Sequence, residues 1–211
     1  MAPLHTGVCD LRLGILGGTF DPIHFGHLLA GEETRTTLHL DRVLFVPAAL
    51  PPHKQSLPVL LIDHRLAMVE LAIADNPAFS ASTVDIDRPG PHYTVDAIRR
   101  LRDEWKTGAE DTFFIMGADS LAQLPTWHRP RRLIDCCRLA VVTRPGYGTE
   151  LADLEAALPG VSRRLDWAEM PAVGISATDL QCRVREGRSI RYQVPAAVAR
   201  YVSHHNLYRQ S

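Results

Sequence analysis

The run Gly17 to His27, GGTFDPIHFGH, constrains this chain more than any other stretch. It follows Leu13 to Leu16, an apolar run that reads as a buried strand, and it ends where a helix can begin, near Gly26. A strand, a glycine turn, two histidines three apart and a helix N-terminus together make a site for phosphate. Gly17 and Gly18 permit a sharp turn and let a phosphate approach the backbone closely. The helix start offers unbonded N–H groups to an anion. His24 and His27 add side-chain donors whose hydrogen bonds strengthen as charge builds on phosphate. Gly14 and Gly17 have the wrong spacing for a G-x-G-x-x-G fingerprint, and no Gly-Lys-Ser/Thr follows as in a P-loop. Taken alone, two histidines three apart fit a structural pair better than a zinc site. No Cys, Asp or Glu stands at an obvious ligand spacing, so no protein-held metal is expected.

Strand-like and helix-like runs alternate around this turn. Leu11–Leu16, Arg42–Pro47, Phe79–Ile86, Thr112–Met116, Arg138–Thr143 and Leu165–Val173 read as strands. Leu66, Val69 and Ile73 keep helical spacing behind Asp63, a candidate cap. Val95, Ile98, Leu101 and Trp105 form one stripe behind Thr94, a second candidate cap. Val198, Tyr201, Val202 and His205 share a face, with Pro195 suited to a first helical turn. The proline-rich stretch from Ala48 to Pro58, and the runs at Pro89–Pro91 and Pro145–Gly148, read as loops. Strands separated by helices imply crossover units and a parallel sheet.

The chain of 211 residues suits one domain, 11–211, behind a tail, 1–10, with a helical C-terminal part from 175 to 211. Net charge is −1, which argues against nonspecific nucleic-acid binding. No apolar stretch approaches the roughly 20 residues of a membrane span. The opening MAPLHTGVCDLR lacks the pattern of a secretory signal. Cys9, adjacent Cys136 and Cys137, and Cys182 show no C-x-x-C spacing and read as reduced thiols of a cytoplasmic protein.

GGTFDPIHFGH closely resembles the G-x-F-D-x-x-H-x-G-H signature of the nucleotidyltransferase superfamily. Five further segments resemble one family within it, the bacterial nicotinate-nucleotide adenylyltransferases. They are VPAALPPHK (46–54), HRLAMVELAI (64–73), PHYTVDAIRRL (91–101), FIMGADSLAQLPTWHRPRRL (114–133) and ISATDL (175–180). Together they span nearly the whole chain. The resemblance implies a Rossmann-like, doubly wound parallel α/β sheet. It implies transfer of AMP from ATP to nicotinate mononucleotide, giving nicotinate adenine dinucleotide and pyrophosphate in NAD biosynthesis.

By the same resemblance, His24 and His27 are the catalytic pair on the ATP phosphates. ATP would also meet Gly17, Gly18, Thr19, Phe20, Gly26, Gly117, Asp119, Ile175, Ser176 and Thr178. Nicotinate mononucleotide would meet Gly18, Phe20, Lys54, Tyr93, Thr94 and Trp127. Trp127 suits stacking on the pyridine ring, though core packing would serve it too. Asp119 suits a ribose hydroxyl or the cap of the next helix. Ser176 to Asp179 reads as a capping box at a helix start. Gln181 stands where the family's I-S-x-T-x-x-R pattern has arginine, and a neutral side chain cannot replace a cation beside triphosphate. Mg²⁺ is expected as the partner of ATP, held by phosphates and water. Another nucleotidyl donor or acceptor, including the amidated mononucleotide, and a catalytically silent nucleotide sensor remain the alternatives. Association of the chain with further copies of itself is left open.

Overall fold

The computed structural model describes residues 11–49, 59–88, 90–143 and 151–209. Six strands form one parallel sheet: β1 (Leu13–Gly18), β2 (Arg42–Pro47), β3 (Phe79–Ala81), β4 (Thr112–Gly117), β5 (Arg138–Thr143) and β6 (Leu165–Glu169), in the order β3-β2-β1-β4-β5-β6. That order is the doubly wound, Rossmann-like arrangement, whose strand sequence reverses between β1 and β4. The helices are α1 (Phe25–Thr37), α2 (Ile62–Ile73), α3 (Thr94–Trp105), α4 (Ala118–Gln123), α5 (Pro130–Cys136), α6 (Leu151–Ala157), α7 (Ala177–Arg185) and α8 (Ala196–His204).

Both faces of the sheet are covered, as parallel strands require. Successive side chains point to opposite faces, so each strand feeds two cores. Leu13, Ile15, Phe114, Met116 and Val141 pack with Val95, Ile98, Leu101 and Leu133. Val43, Phe45, Phe113 and Ile115 pack with Met68, Val69, Leu180, Val198 and Val202. The apolar stripe predicted from Val95 to Trp105 is thus the buried face of α3, and the helix ends where Lys106 turns left-handed at φ +55°.

Several boundaries differ from the sequence expectation, each for a local reason. β1 runs to Gly18, not Leu16, because Gly17 and Gly18 pair with Val46 and Pro47. β3 stops at Ala81 although apparent alternation continues to Ile86. The N–H groups of Ile86 and Asp87 instead donate to Thr83 O at 2.7 and 2.9 Å, which makes a turn. β6 ends at Glu169, short of Val173. Asp63 lies inside the first turn of α2, behind cap residue Leu61. Thr94 is the first residue of α3, and Tyr93 occupies the cap position. Pro195 caps α8 from outside, and His205 follows its last residue.

The sheet opens at its switch point. β1 and β4 pair from Leu13↔Thr112 to Leu16↔Ile115 and then part. β1 stays paired with β2 as far as Gly18↔Pro47, and β4 with β5 as far as Gly117↔Val142. The gap therefore lies between two strands that are each still held from outside.

Upstream of the gap the packing leaves no slack. A Cβ on Gly14 would stand 2.9 Å from Leu40 Cδ1, 3.1 Å from Ile115 Cδ1 and 3.2 Å from Val43 Cγ2. Gly14→Ala is therefore expected to cost about 1–3 kcal/mol by overpacking. Urea titration should show a lower midpoint at unchanged slope; an unaltered midpoint would mean that the core yields.

Candidate active site

Two cavities flank the parted strands. The first, about 520 Å³, is lined by Gly17, His24, Gly26 and His27 on one side and by Gly117, Asp119, Trp127 and Ile175 on the other. The second, about 630 Å³, is lined by Gly17, Gly18, His92, Tyr93, Thr94 and Trp127 among others. They share Gly17, Phe114 and Trp127. A ligand in one is therefore a neighbour of a ligand in the other.

His24 is the N-cap residue of α1 and is 7% exposed. The rings of His24 and His27 stack with centroids 3.8 Å apart. The backbone N–H of His24 donates to His27 Nδ1 at 3.3 Å. That bond needs a lone pair on Nδ1, so neutral His27 carries its hydrogen on Nε2. Phe20 supports the pair from below, edge-on to His27 at 5.0 Å. Gly26 makes room above: a Cβ there would lie 3.0 Å from His24 Nδ1. Nδ1 of His24 is buried without a protein partner, as is Nδ1 of His92 in the second cavity. Burial pushes the His24 imidazolium down to about 4, so this ring is neutral at pH 7. Among the described residues, no Lys or Arg lines the first cavity.

The turn that carries the histidines is held from beneath by a buried polar network. Arg65 on α2 is 1% exposed. Its guanidinium donates to the carbonyls of Thr19 and Ala48 at 2.8 Å, Leu60 at 3.0 Å and Ala49 at 3.2 Å. Its burial lowers its affinity for a proton, while nearby Asp21 raises it again. Asp21 accepts from Tyr208 Oη at 2.6 Å and from Leu60 N at 3.3 Å. Burial and the Asp21 charge push the Tyr208 hydroxyl upward, so it stays a donor. Gln181 Nε2 donates to the Asp21 carbonyl at 2.7 Å. A network this satisfied fixes one geometry for the turn. Phe20 itself sits at φ +49°, a costly conformation for a bulky side chain, with its ring locked in the core.

The sites expected from sequence divide as follows. Gly17, His24, Gly26, His27, Gly117, Asp119 and Ile175 meet around the first cavity. Gly18, Tyr93, Thr94 and Trp127 meet around the second, with Trp127 and Gly17 bordering both. Thr19 and Phe20 line neither: Thr19 O is bound to Arg65, and the Phe20 ring is core. Ser176 caps α7 by accepting from Asp179 N at 3.2 Å, as its spacing predicts. Thr178 is exposed in the first turn of α7, and neither residue reaches the cavity lining. The N-cap position of α4 is Gly117, and Asp119 stands in the first turn of that helix. Lys54 lies outside the described residues. Sequence reasoning missed Arg65, Asp21, Tyr208 and His92, and also His128, which stacks on Tyr93 at 3.7 Å.

A parallel sheet parted at its switch point, with stacked imidazoles over a helix N-terminus, defines an α/β nucleotide-binding protein of the phosphate-transfer kind. Comparison with known proteins narrows this. A cytidylyltransferase-like family model matches residues 15–183. A protein of Thermomicrobium roseum named "Probable nicotinate-nucleotide adenylyltransferase" is 49% identical over 198 residues, covering 94% of this chain and 92% of its own. A Thermus thermophilus protein of the same name is 47% identical, covering 94% of this chain and 100% of its own. The chain belongs to the nicotinate-nucleotide adenylyltransferase family. Its fold matches Plasmodium falciparum nicotinic acid mononucleotide adenylyltransferase complexed with NaAD, at TM-score 0.75 and 16% identity over 94% of this chain and 97% of that one.

The buried neutral imidazole makes stability depend on pH. The folded value for His24, about 4, is below the unfolded 6.5, so its contribution is complete above pH 6.5 and is lost as pH falls toward 4. At pH 5 the loss is about 2 kcal/mol by linkage. Unfolding free energies of wild type and His24→Asn, measured from pH 8 to 4, should converge by about that amount at pH 5. Parallel curves would place the His24 ring in water.

Proposed function

We propose that this protein transfers the adenylyl group of ATP to nicotinate mononucleotide, forming nicotinate adenine dinucleotide and pyrophosphate for NAD biosynthesis. The observation that carries this reading is the pair of cavities meeting at Gly17, Phe114 and Trp127, one with the histidine pair and one without. Two relatives named for this activity, alike over nearly their whole length, support it.

ATP lies in the first cavity, with its phosphates at His24, His27 and the α1 N-terminus. The mononucleotide lies in the second, its ring against Trp127 and its carboxylate toward N–H groups near Tyr93 and Thr94. An oxygen of its 5′-phosphate attacks the α-phosphorus of ATP. A new P–O bond forms, and the bond from that phosphorus to the bridging oxygen breaks. Pyrophosphate leaves with the electron pair. The nucleophile is already ionised, so no general base takes part. Catalysis consists of placing two anions together and stabilising charge as it shifts. His27 donates from Nε2. His24, held neutral by burial, gains affinity for a proton beside a polyphosphate, because an opposite charge offsets the cost of burial.

From the sequence resemblance, Lys54 contributes a cation to the mononucleotide phosphate. Ser176 caps α7, whose approach borders the first cavity at Ile175, and Asp119 accepts from a ribose hydroxyl. Gly18 faces the mononucleotide, while Thr19 and Phe20, outside both cavities, anchor the turn. Mg²⁺ enters as part of the ATP complex and neutralises phosphate charge. Among the described residues Asp119 is the one carboxylate lining the first cavity, too few for a protein cage, so phosphate oxygens and water would hold the ion. We infer a cytoplasmic protein that acts on small nucleotides, not on nucleic acid or membranes. Among the described residues, no helix is long and apolar enough to cross a membrane.

A pyrophosphate-release assay with ATP and the acid and amide mononucleotides in parallel tests the reading. Turnover should favour the acid, and activity on neither substrate would refute it. His24→Ala and His27→Ala should each lower kcat by about 10²–10³, the usual loss for one transition-state donor. Chelation of Mg²⁺ should abolish turnover reversibly yet leave the melting temperature of the free protein unchanged. A lowered melting temperature would reveal a resident metal.

A further inference from the structure

A separate cavity of about 760 Å³ lies among the end of α7, the turn that follows it, α8 and Phe25. We propose that this basin is a second anion site, which takes a chain of linked phosphates outside the catalytic cleft. Arg188, Arg191, Arg200 and Arg209 line it, and no Asp or Glu does. Arg188 is paired with Glu186 at 2.7 Å. Arg191, Arg200 and Arg209 have no carboxylate partner among the described residues. The whole chain carries a net charge of −1, so these guanidinium groups are a local excess and not a general basicity. A concave wall of one sign concentrates potential within it. The first turn of α8, which borders the basin at Ala196 and Ala199, contains no acid to offset its dipole.

Guanidinium groups match phosphate oxygens two at a time, so several of them suit several linked phosphates better than one. The basin also shows aromatic surface. Tyr192 is 86% exposed and stands at φ +65°, a conformation that strains a bulky residue. Phe25 is 37% exposed. These rings would stack on a base, so the phosphates can belong to a free polyphosphate or to a nucleotide. The basin adjoins the catalytic turn: Phe25 follows His24 in the chain, and its N–H donates to Gln193 O at 3.1 Å.

The inference concerns binding and does not depend on the adenylyl transfer proposed above. Inorganic triphosphate titrated calorimetrically at physiological salt is the test. A binding equivalent should survive His24→Ala and weaken at least tenfold when Arg191→Gln and Arg200→Gln are combined. Both positions are exposed, and melting without anion should be unchanged in that variant. A parallel titration with GTP assigns the source: equal affinity points to the phosphate chain alone, and tighter binding to a nucleotide. Loss of every equivalent with His24→Ala would overturn the proposal. So would unaltered affinity in the double variant, or a double variant that changes only the sedimentation of the chain, which would assign the basin to self-association.

Discussion

The catalytic geometry depends on a backbone that is released from one neighbour and held by another. Past Leu16 and Ile115, β1 and β4 no longer bond to each other, so their amides and carbonyls face a ligand cleft. Each strand end is still pinned on its outer side, Gly18 to Pro47 and Gly117 to Val142. Were both sides loose, the cleft would have to be ordered by its ligands, at the cost of about 1–2 kcal/mol per residue in backbone entropy. The sheet has already met that cost. Two nucleotides can therefore be brought together across a gap whose walls exist before either arrives.

The cleft is also sparing with permanent charge. Among the described residues, the first cavity has imidazoles, a helix N-terminus and one carboxylate, but no lysine or arginine. A buried arginine beside phosphate binds substrate and transition state with similar strength, which lowers KM more than it raises kcat. A neutral His24 is different. Burial lowers its affinity for a proton, and an opposite charge beside it would offset that cost. The fixed cation, Arg65, is instead placed beneath the turn, where its donors are committed to backbone carbonyls.

What the sequence revealed follows from how local each signal is. Apolar runs located all six strands, because a strand buried on both faces of a sheet leaves a nearly continuous apolar mark. They overran at β3, where Thr83 accepts two turn bonds that mimic alternation. The histidine pair was legible as a motif, and Ser176 as a cap, since the partners lie three residues apart. Arg65, Asp21, Gln181 and Tyr208 were not. Their bonds join positions 16 to 187 residues apart, apart from the short steps from Arg65 to Leu60 and from Arg185 to Gln181. A buried arginine inside HRLAMVELAI looks, in one dimension, like any helix-surface cation. The two-cavity division was likewise hidden, because it arises from where pairing between β1 and β4 ends.

Gln181 shows why the distant bonds matter. A neutral side chain at a position expected to be cationic suggests a weakened phosphate site. In the fold, however, its amide donates to the Asp21 carbonyl, three residues before His24, while its own carbonyl oxygen accepts from Arg185 at 3.3 Å. Asp21 is gripped through its side chain by Tyr208 and Leu60 as well. An arginine at 181 could make the same bond to a carbonyl, but it would then bring a second cation to a turn already bounded by Arg65. Glutamine supplies the donor without the charge. The residue that departs from the family pattern thus bonds to the turn that carries the pattern's two histidines.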